Sequence, residues 1–491
     1  VLQCIDFIQV SDIHGYLATQ TIYYNDYSTW VAYLDRLKGN GSHVFSSVVG
    51  DICDGSLLSA NSTPPCAYVI DFVTRSQVDL LVYGNHDIYD FRTTFKIYQQ
   101  AKQRQVPLLT SNLVMNSRSM GRMFAYKVLN NIRILQFGFT VGTSYPNISV
   151  INYADVLNST EFNSVLQDYI LKTDLIILAV HDGYSASKKL IQALRLKIQL
   201  EFNFTVPILV QNAHKHNVQK GSCGEQCYHA EAGCYMEHIM HYKMYFEEAE
   251  FENKNLTHKY RKIAKVDFFD QNENNQTMIA ARFGLSTQEF DTKLSNRSRQ
   301  NINTLNNQIG AFDFLFRLDR SYSRNAAENN VYDFWLDELL KSQVFTSVDQ
   351  CSVVGASQLR NSLAAGKIVK ETAFRFFPFE NGFFASNFLT QNDLGCLVNK
   401  TGEITKIFNN CNCKEALGDA YKRVLVVDGF MKDLVESAAQ GCVLAEKLVF
   451  QPFQAKNSKV LATNQVFTQY LVEKQLKQKN WAVGANWAVG L

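Results

Sequence analysis

Val44-Phe45-Ser46-Ser47-Val48-Val49-Gly50-Asp51 is the stretch that decides how this chain folds. A run rich in β-branched and aromatic residues reads as a buried strand, and this one stops at a glycine followed by a carboxylate. Four other segments repeat the design. Ile5-Asp6-Phe7-Ile8-Gln9-Val10 leads to Ser11-Asp12-Ile13-His14, and Leu80-Leu81-Val82-Tyr83 leads to Gly84-Asn85-His86-Asp87. Leu175-Ile176-Ile177-Leu178-Ala179-Val180 leads to His181-Asp182, and Pro207-Ile208-Leu209-Val210 leads to Ala213-His214-Lys215-His216. Helical patterns at residues 27–38, 67–75 and 186–198 separate the runs. Strands alternating with helices predict an α/β architecture, in which ligands at several strand ends converge although they are far apart in sequence.

The residue types at these ends suit a pair of metal ions. Half of the ten histidines lie in these five places. Two divalent ions about 3.5–4 Å apart can clamp the attacking and leaving oxygens of a phosphoryl displacement. Asp51 is the natural bridging carboxylate; Asp12, His14 and His216 complete one metal, and Asn85, His181 and His214 complete the other. Mixed imidazole and carboxylate donors favour zinc, manganese, iron or cobalt over magnesium and calcium. A metal-bound water with its pKa lowered toward about 7 would supply hydroxide at neutral pH. His86 is left without a metal and is assigned to stabilise phosphate charge and protonate the leaving oxygen, with Asp87 or Asp90 orienting its ring. A single Asp-x-His or His-x-His is a common polar strand end; five such ends in this order are not.

That order resembles the calcineurin-like metallophosphoesterases and, more narrowly, the two-domain 5′-nucleotidases, including fungal and protist secreted-type members. The family signature runs Asp-x-His, Gly-Asp, Gly-Asn-His-Asp/Glu, a short Ser-Asn, a strand-end His and His-x-His. Thr110-Ser111-Asn112 fits the short step. The resemblance implies a four-layer α/β/β/α sandwich followed by a C-terminal α+β domain that selects substrate. It also implies the same seven metal ligands, a catalytic His86, and Asn112 at the substrate. Two departures stand out. Asn212-Ala213 precede His214 where the family often has Gly, and His86-Asp87-Ile88-Tyr89-Asp90 is one residue longer than the usual His-Glu-x-Asp.

Composition agrees. The chain has 491 residues, long enough for two or three domains, with 46% hydrophobic and 19% charged residues, so it is globular. A net charge of +2 points to neither nucleic acid nor a membrane surface. No uninterrupted apolar stretch is long enough to span a bilayer. Eleven cysteines, including Cys223, Cys227 and Cys234 beyond the last motif and Cys411 and Cys413 in a polar loop, predict disulfides of unspecified pairing. Nine Asn-x-Ser/Thr sequons begin at Asn40, Asn61, Asn147, Asn158, Asn203, Asn255, Asn275, Asn296 and Asn399. With the cysteines and a first residue that is Val, they favour N-glycans and an extracellular or endomembrane-lumen location after removal of a signal peptide.

The organisation expected is a catalytic domain over residues 1–285, a polar, partly helical connector over 286–341 and a second domain over 342–475. A helix is expected at 330–341, and strands at 351–354, 374–379 and 424–427. Residues 476–491 form a tail in which Asn480-Trp-Ala-Val-Gly is repeated from Asn486. In the second domain, Ala356-Ser-Gln-Leu-Arg360 stands where the family has Asn-Gly-Gly-x-Arg, and Pro378-Phe379-Glu380-Asn381-Gly382-Phe383 matches its Pro-Phe-x-x-x-Phe segment. The resemblance therefore assigns substrate binding to Arg360, and base stacking to Phe383 and to Phe430 in Val427-Asp428-Gly429-Phe430. The expectation is a two-metal phosphohydrolase acting on nucleoside 5′-monophosphates. The alternatives are the same centre acting on nucleotide-sugars, diphosphates or cyclic nucleotides, or a glycosylated scaffold or adhesion protein.

Overall fold

The computed structural model describes residues 2–17, 27–60, 62, 64–76, 78–142, 145, 147–253, 256–269, 308–312, 332, 335, 336, 340, 344, 350–355, 366–369, 383–404, 407–409, 411, 422–442 and 448–453. Two compact units are present, Val1–Asp54 with Leu58–Asn301, and Gly55–Leu57 with Ile302–Leu491.

The first unit is built on two six-stranded sheets. One has the order Leu256–Phe269, Met240–Asn253, Gln3–Val10, Val44–Val49, Leu80–Val82, Leu108–Leu109. Its last four strands run parallel, and Met240–Asn253 is antiparallel to Gln3–Val10. The other has the order Val218–Gly224, Cys227–Ala232, Ile208–Asn212, Leu175–His181, Ile132–Thr140, Phe124–Leu129, and its four inner strands are parallel.

Hydrophobic runs explain the layering. All six residues of Val44–Val49 and all seven of Leu175–His181 are buried, as befits parallel strands covered on both faces. Ile5, Phe7, Phe45 and Val49 of the first sheet share one core with Ile134, Ile177, Ala179 and Leu209 of the second. On the second sheet's other face, Phe137, Ile176, Leu178 and Val210 pack with Phe162 and Leu166 of the helix Thr160–Tyr169 and with Leu190 and Leu194 of Tyr184–Phe202. Each such aliphatic or aromatic side chain contributes about 1.5–3 kcal/mol by leaving water. This is the α/β/β/α sandwich, and each expected strand and helix around the five motifs is present within a few residues of its expected bounds. Polar strand residues are satisfied sideways: Ser46 donates from N and Oγ to Asp79 at 2.9 and 3.0 Å.

The second unit is α+β. Its five-stranded sheet has the order Ile407–Asn409, Gln350–Gly355, Lys422–Asp428, Phe383–Thr390, Phe450–Pro452. The helices Gln391–Ile404 and Gly429–Ala439 bring Leu394, Leu397, Met431 and Val435 into a core with Val353, Leu425 and Val427. The strand expected at 374–379 and most of the helix expected at 330–341 lie outside the described residues, as does the tail. Disulfides join Cys53 to Cys66, Cys223 to Cys227, Cys351 to Cys411 and Cys396 to Cys442. No helix among the described residues is long and apolar enough to cross a membrane.

Candidate metal centre

Five parallel strands end on the same side of the sandwich, and their ends bring together all seven expected ligands. His181 Nε2 lies 3.1 Å from Asp51 Oδ2 and 4.0 Å from Asp12 Oδ1. His14 Nε2 lies 3.8 Å from Asp51 Oδ2 and 3.2 Å from His216 Nε2, which is itself 3.3 Å from Asp12 Oδ1. His214 Nδ1 is 2.9 Å from Asn85 Oδ1. The donors form three overlapping sets, Asp12 with His14 and His216, His14 with Asp51 and His86, and Asp51 with His181 and His214. Asp51 is common to the last two, the position of a bridge.

The ring nitrogens facing away from the centre fix which ones face it. His14 Nδ1 donates to the Asp54 carbonyl at 2.7 Å, and His181 Nδ1 to the Val49 carbonyl at 2.8 Å. A carbonyl only accepts, so both Nδ1 atoms carry hydrogen and Nε2 is the atom turned inward. His181 Nε2 is buried and has no hydrogen-bond partner among the described residues; Asp51 Oδ2 is near enough to attract charge but is not aligned for a hydrogen bond. An orphaned, buried imidazole nitrogen among two carboxylates and three further imidazoles is what a divalent ion would satisfy.

Electrostatics say the same. Burial opposes charge on His181, but Asp51 and then Asp12 outweigh it and push the imidazole up to about 10. Burial also opposes charge on Asp51, yet His181 and His86 hold it well below the usual carboxylate range. By contrast, burial and the neighbouring His181 push His214 down to about 4, and burial with His86 pushes His14 well down. The pocket demands positive charge, which a proton on His181 or a cation can supply.

Local backbone geometry is unusual for these residue types. Asp12, His14, Asp51, His214 and His216 have φ of 48°, 50°, 49°, 78° and 61°. Non-glycine residues in this left-handed region cluster at functional sites. Gly50 and Gly84 allow two loops to touch. A Cβ at Gly84 would sit 2.1 Å from Asp51 Oδ1, and one at Gly50 would sit 2.4 Å from His181 Nδ1. The contact lets His86 N donate to Asp51 Oδ1 at 2.8 Å.

His86 stands beside His14, ring centroids 4.8 Å apart. Its ring partner differs from expectation. Asp54 Oδ2 lies 2.7 Å from His86 Nδ1. Asp87 is turned away and buried, accepting from Gly84 N, Ile52 N and Cys53 N at 2.8, 3.1 and 3.0 Å. It thereby clasps the Asp51–Asp54 loop to the His86 loop. Asp90 caps the helix Phe91–Gln103 through Arg92 N and pairs with the Arg92 side chain at 2.9 Å. Neither acid can orient His86, because backbone N–H groups and Arg92 occupy their oxygens.

Asn112 is a second correction. Its amide donates to Thr140 O at 2.8 Å and Ile151 O at 3.2 Å and accepts from Thr140 N at 2.9 Å, so its polar atoms are used by the backbone rather than offered to substrate. Phe383 begins the strand Phe383–Thr390 and is only 4% exposed. A ring that stacks on a base needs a free face, which Phe383 lacks. Arg360 and the side chain of Phe430 lie outside the described residues.

Besides Asp54, two residues escaped the reading of the sequence. Glu231 is buried and accepts from Lys215 N and Asn217 N at 3.0 and 3.3 Å, which shapes the turn that separates His214 from His216. Burial and then Asp12 push its carboxyl up to about 7. An acid in the otherwise buried strand Cys227–Ala232 was the available signal. Tyr235 packs against His14 and His216, with centroids 5.5 Å away in each case, and its N donates to Asp12 O at 2.8 Å.

Comparison with known proteins agrees with this architecture. Residues 5–218 match the family model described as calcineurin-like phosphoesterase. A protein of Arthroderma benhamiae described as secreted is 27% identical over 234 residues, 43% of this chain and 34% of that protein. An uncharacterised protein of Saccharomyces cerevisiae is 30% identical over 106 residues, 20% of this chain and 18% of that protein. The chain thus spans less than two thirds of the length of either curated relative. Among solved structures, a 5′-nucleotidase of Candida albicans is similar at a TM-score of 0.77 and 15% identity, over 96% of this chain and 98% of that one. A 5′-nucleotidase precursor of Thermus thermophilus follows at 0.66 and 13% identity, over 96% of each chain. Likenesses at such identities speak for the fold. The fold, the strand-end ligands and the family match agree that residues 5–218 of this chain form a calcineurin-like phosphoesterase domain.

Proposed function

We propose that this chain hydrolyses phosphate monoesters, with nucleoside 5′-monophosphates as its substrate class. The observation that carries the reading is the convergence of Asp12, His14, Asp51, His181 and His216 within 4 Å contacts, with His86 alongside. Two divalent ions fit the donors: Asp12, His14 and His216 would hold one, Asn85, His181 and His214 the other, and Asp51 both. Zinc suits two imidazoles with oxygen donors at each ion, with manganese, iron and cobalt as alternatives. When bound, such a pair supplies charge to the phosphoryl oxygens and acidifies a water.

The protein's own groups do the rest. Asp54 accepts from His86 Nδ1–H and keeps the ring in one tautomer and orientation. The opposite nitrogen is then free to hand its proton to the leaving alkoxide, and the Asp54 carboxylate stabilises the imidazolium beforehand. Asp87 and Glu231, by gripping backbone N–H groups, hold the two loops that carry His86 and the His214–His216 pair. The nucleoside preference is supported by the likeness to the Candida albicans 5′-nucleotidase, and we assign Arg360 and Phe430 to the nucleoside. The disulfides and the secreted relative support an extracellular or lumenal location.

The test is a screen of the metal-loaded protein on AMP, ADP, UDP-glucose, cyclic AMP and an aryl phosphate. AMP should be the best substrate, and His86→Ala should keep its metal while losing roughly 10²–10⁴-fold in turnover. A variant as fast as the parent sinks the assignment.

A further inference from the structure

Tyr89 stands beside the ligand cluster, and none of the roles above uses it. Its ring packs edge-on against His86, centroids 4.7 Å apart and planes at 61°. Tyr145 packs edge-on against it at 5.4 Å. These neighbours hold the ring in place although 44% of the residue is exposed. Its oxygen receives a hydrogen bond from Asn85 Nδ2 at 2.5 Å, while Asn85 Oδ1 faces His214.

An amide NH₂ only donates, so the phenol oxygen is the acceptor in that bond and the phenolic hydrogen points elsewhere. It has no acceptor among the described residues. The structure therefore holds an O–H donor fixed to one ligand of the metal centre, in ring contact with the general acid, and open to solvent. Substrate oxygens must come to the space between Asn85 and His86, where they are the natural acceptors.

We propose that Tyr89 is a further catalytic residue, whose O–H donates to a non-bridging oxygen of the phosphoryl group. This rests on the phosphoester reading above. The position is specific to this chain's spacing: Tyr89 lies in the five-residue stretch His86–Asp90, one longer than the family pattern.

The experiment compares the metal-loaded parent with Tyr89→Phe, which keeps the ring and removes the donor. Inorganic phosphate is titrated by calorimetry, kcat/KM is measured on an aryl phosphate, and metal content is measured by elemental analysis. Hydrogen bonds to charged groups predict that phosphate affinity and kcat/KM both fall about tenfold or more, with parental metal content. Unchanged phosphate affinity overturns the proposal. So does a loss of metal that accounts for the loss of activity, since the hydroxyl would then serve Asn85 alone. A parent that hydrolyses no phosphoester refutes the functional reading, yet the phosphate titration still decides on Tyr89; a parent that binds no phosphate overturns both.

Discussion

The carboxylate of Asp54 reaches His86 Nδ1 at 2.7 Å from 32 positions earlier in the chain, while the carbonyl of the same residue holds His14 Nδ1, also at 2.7 Å. One residue, with φ of 59°, thus orients both the proposed metal ligand His14 and the proposed general acid His86. Only the second task uses the side chain. Asp54→Ala should therefore lower kcat by roughly 10–100-fold, part of what general acid catalysis contributes, with KM and metal content near the parent. Steady-state kinetics and elemental analysis check this; a variant that lost its metal would place the side chain in ligand positioning instead.

Metal and proton compete for the same pocket. With no cation present, His181 is raised to about 10 from an ordinary value of 6.5. A raised folded pKa stabilises fully below 6.5, and that stability is lost as pH rises through about 10. The metal-free protein should thus melt at a lower temperature at pH 9.5 than at pH 7, while the metal-loaded protein shows no such decline. Metal uptake at pH 7 should also release protons. Thermal melts with and without chelator check the first point; a flat or rising profile for the metal-free form refutes it.

Gly84→Ala should abolish the site. The added Cβ would lie 2.3 Å from Asp51 N and 2.1 Å from Asp51 Oδ1, atoms that cannot move without moving the proposed bridging carboxylate. A cost of about 2–4 kcal/mol and loss of metal are expected. Gly39→Ala, where a Cβ meets nothing within 4 Å, should leave melting temperature and metal content close to the parent. Equal behaviour of the two variants would contradict the close loop packing.

The Cys53–Cys66 disulfide anchors the residue next to Asp54 to the start of the helix Ala67–Arg75. It closes a loop of sequence separation 13, which the chain-entropy estimate makes worth about 3 kcal/mol. Replacing both cysteines by serine should cost that stability and also lower kcat, because Asp54 loses its anchor. Breaking Cys223–Cys227, a separation of only 4 on the strand pair remote from His86, should leave kcat unchanged. Parallel kinetics on the two double variants separate the outcomes.

Much of this site is written in short stretches. The strands around Val44–Val49 and Leu175–His181, and the Asp, Asn and His residues that follow them, are legible because burial on both faces demands continuous apolar runs and parallel strands deliver their ends to one side. What adjacent residues cannot encode is which side chains meet across loops. His86-Asp87-Ile88-Tyr89-Asp90 offers two nearby acids as ring partners, yet Asp87 is consumed by three backbone N–H groups and Asp90 by a helix N-terminus, so Asp54 reaches the imidazole. Asn112 and Glu231 teach the same lesson in opposite directions. One polar residue that looked exposed to substrate is spent on the backbone, and one acid hidden in a strand shapes a ligand turn. Local composition decides where strands run and stop; competition among donors and acceptors in the folded chain decides what each polar atom at their ends is left to do.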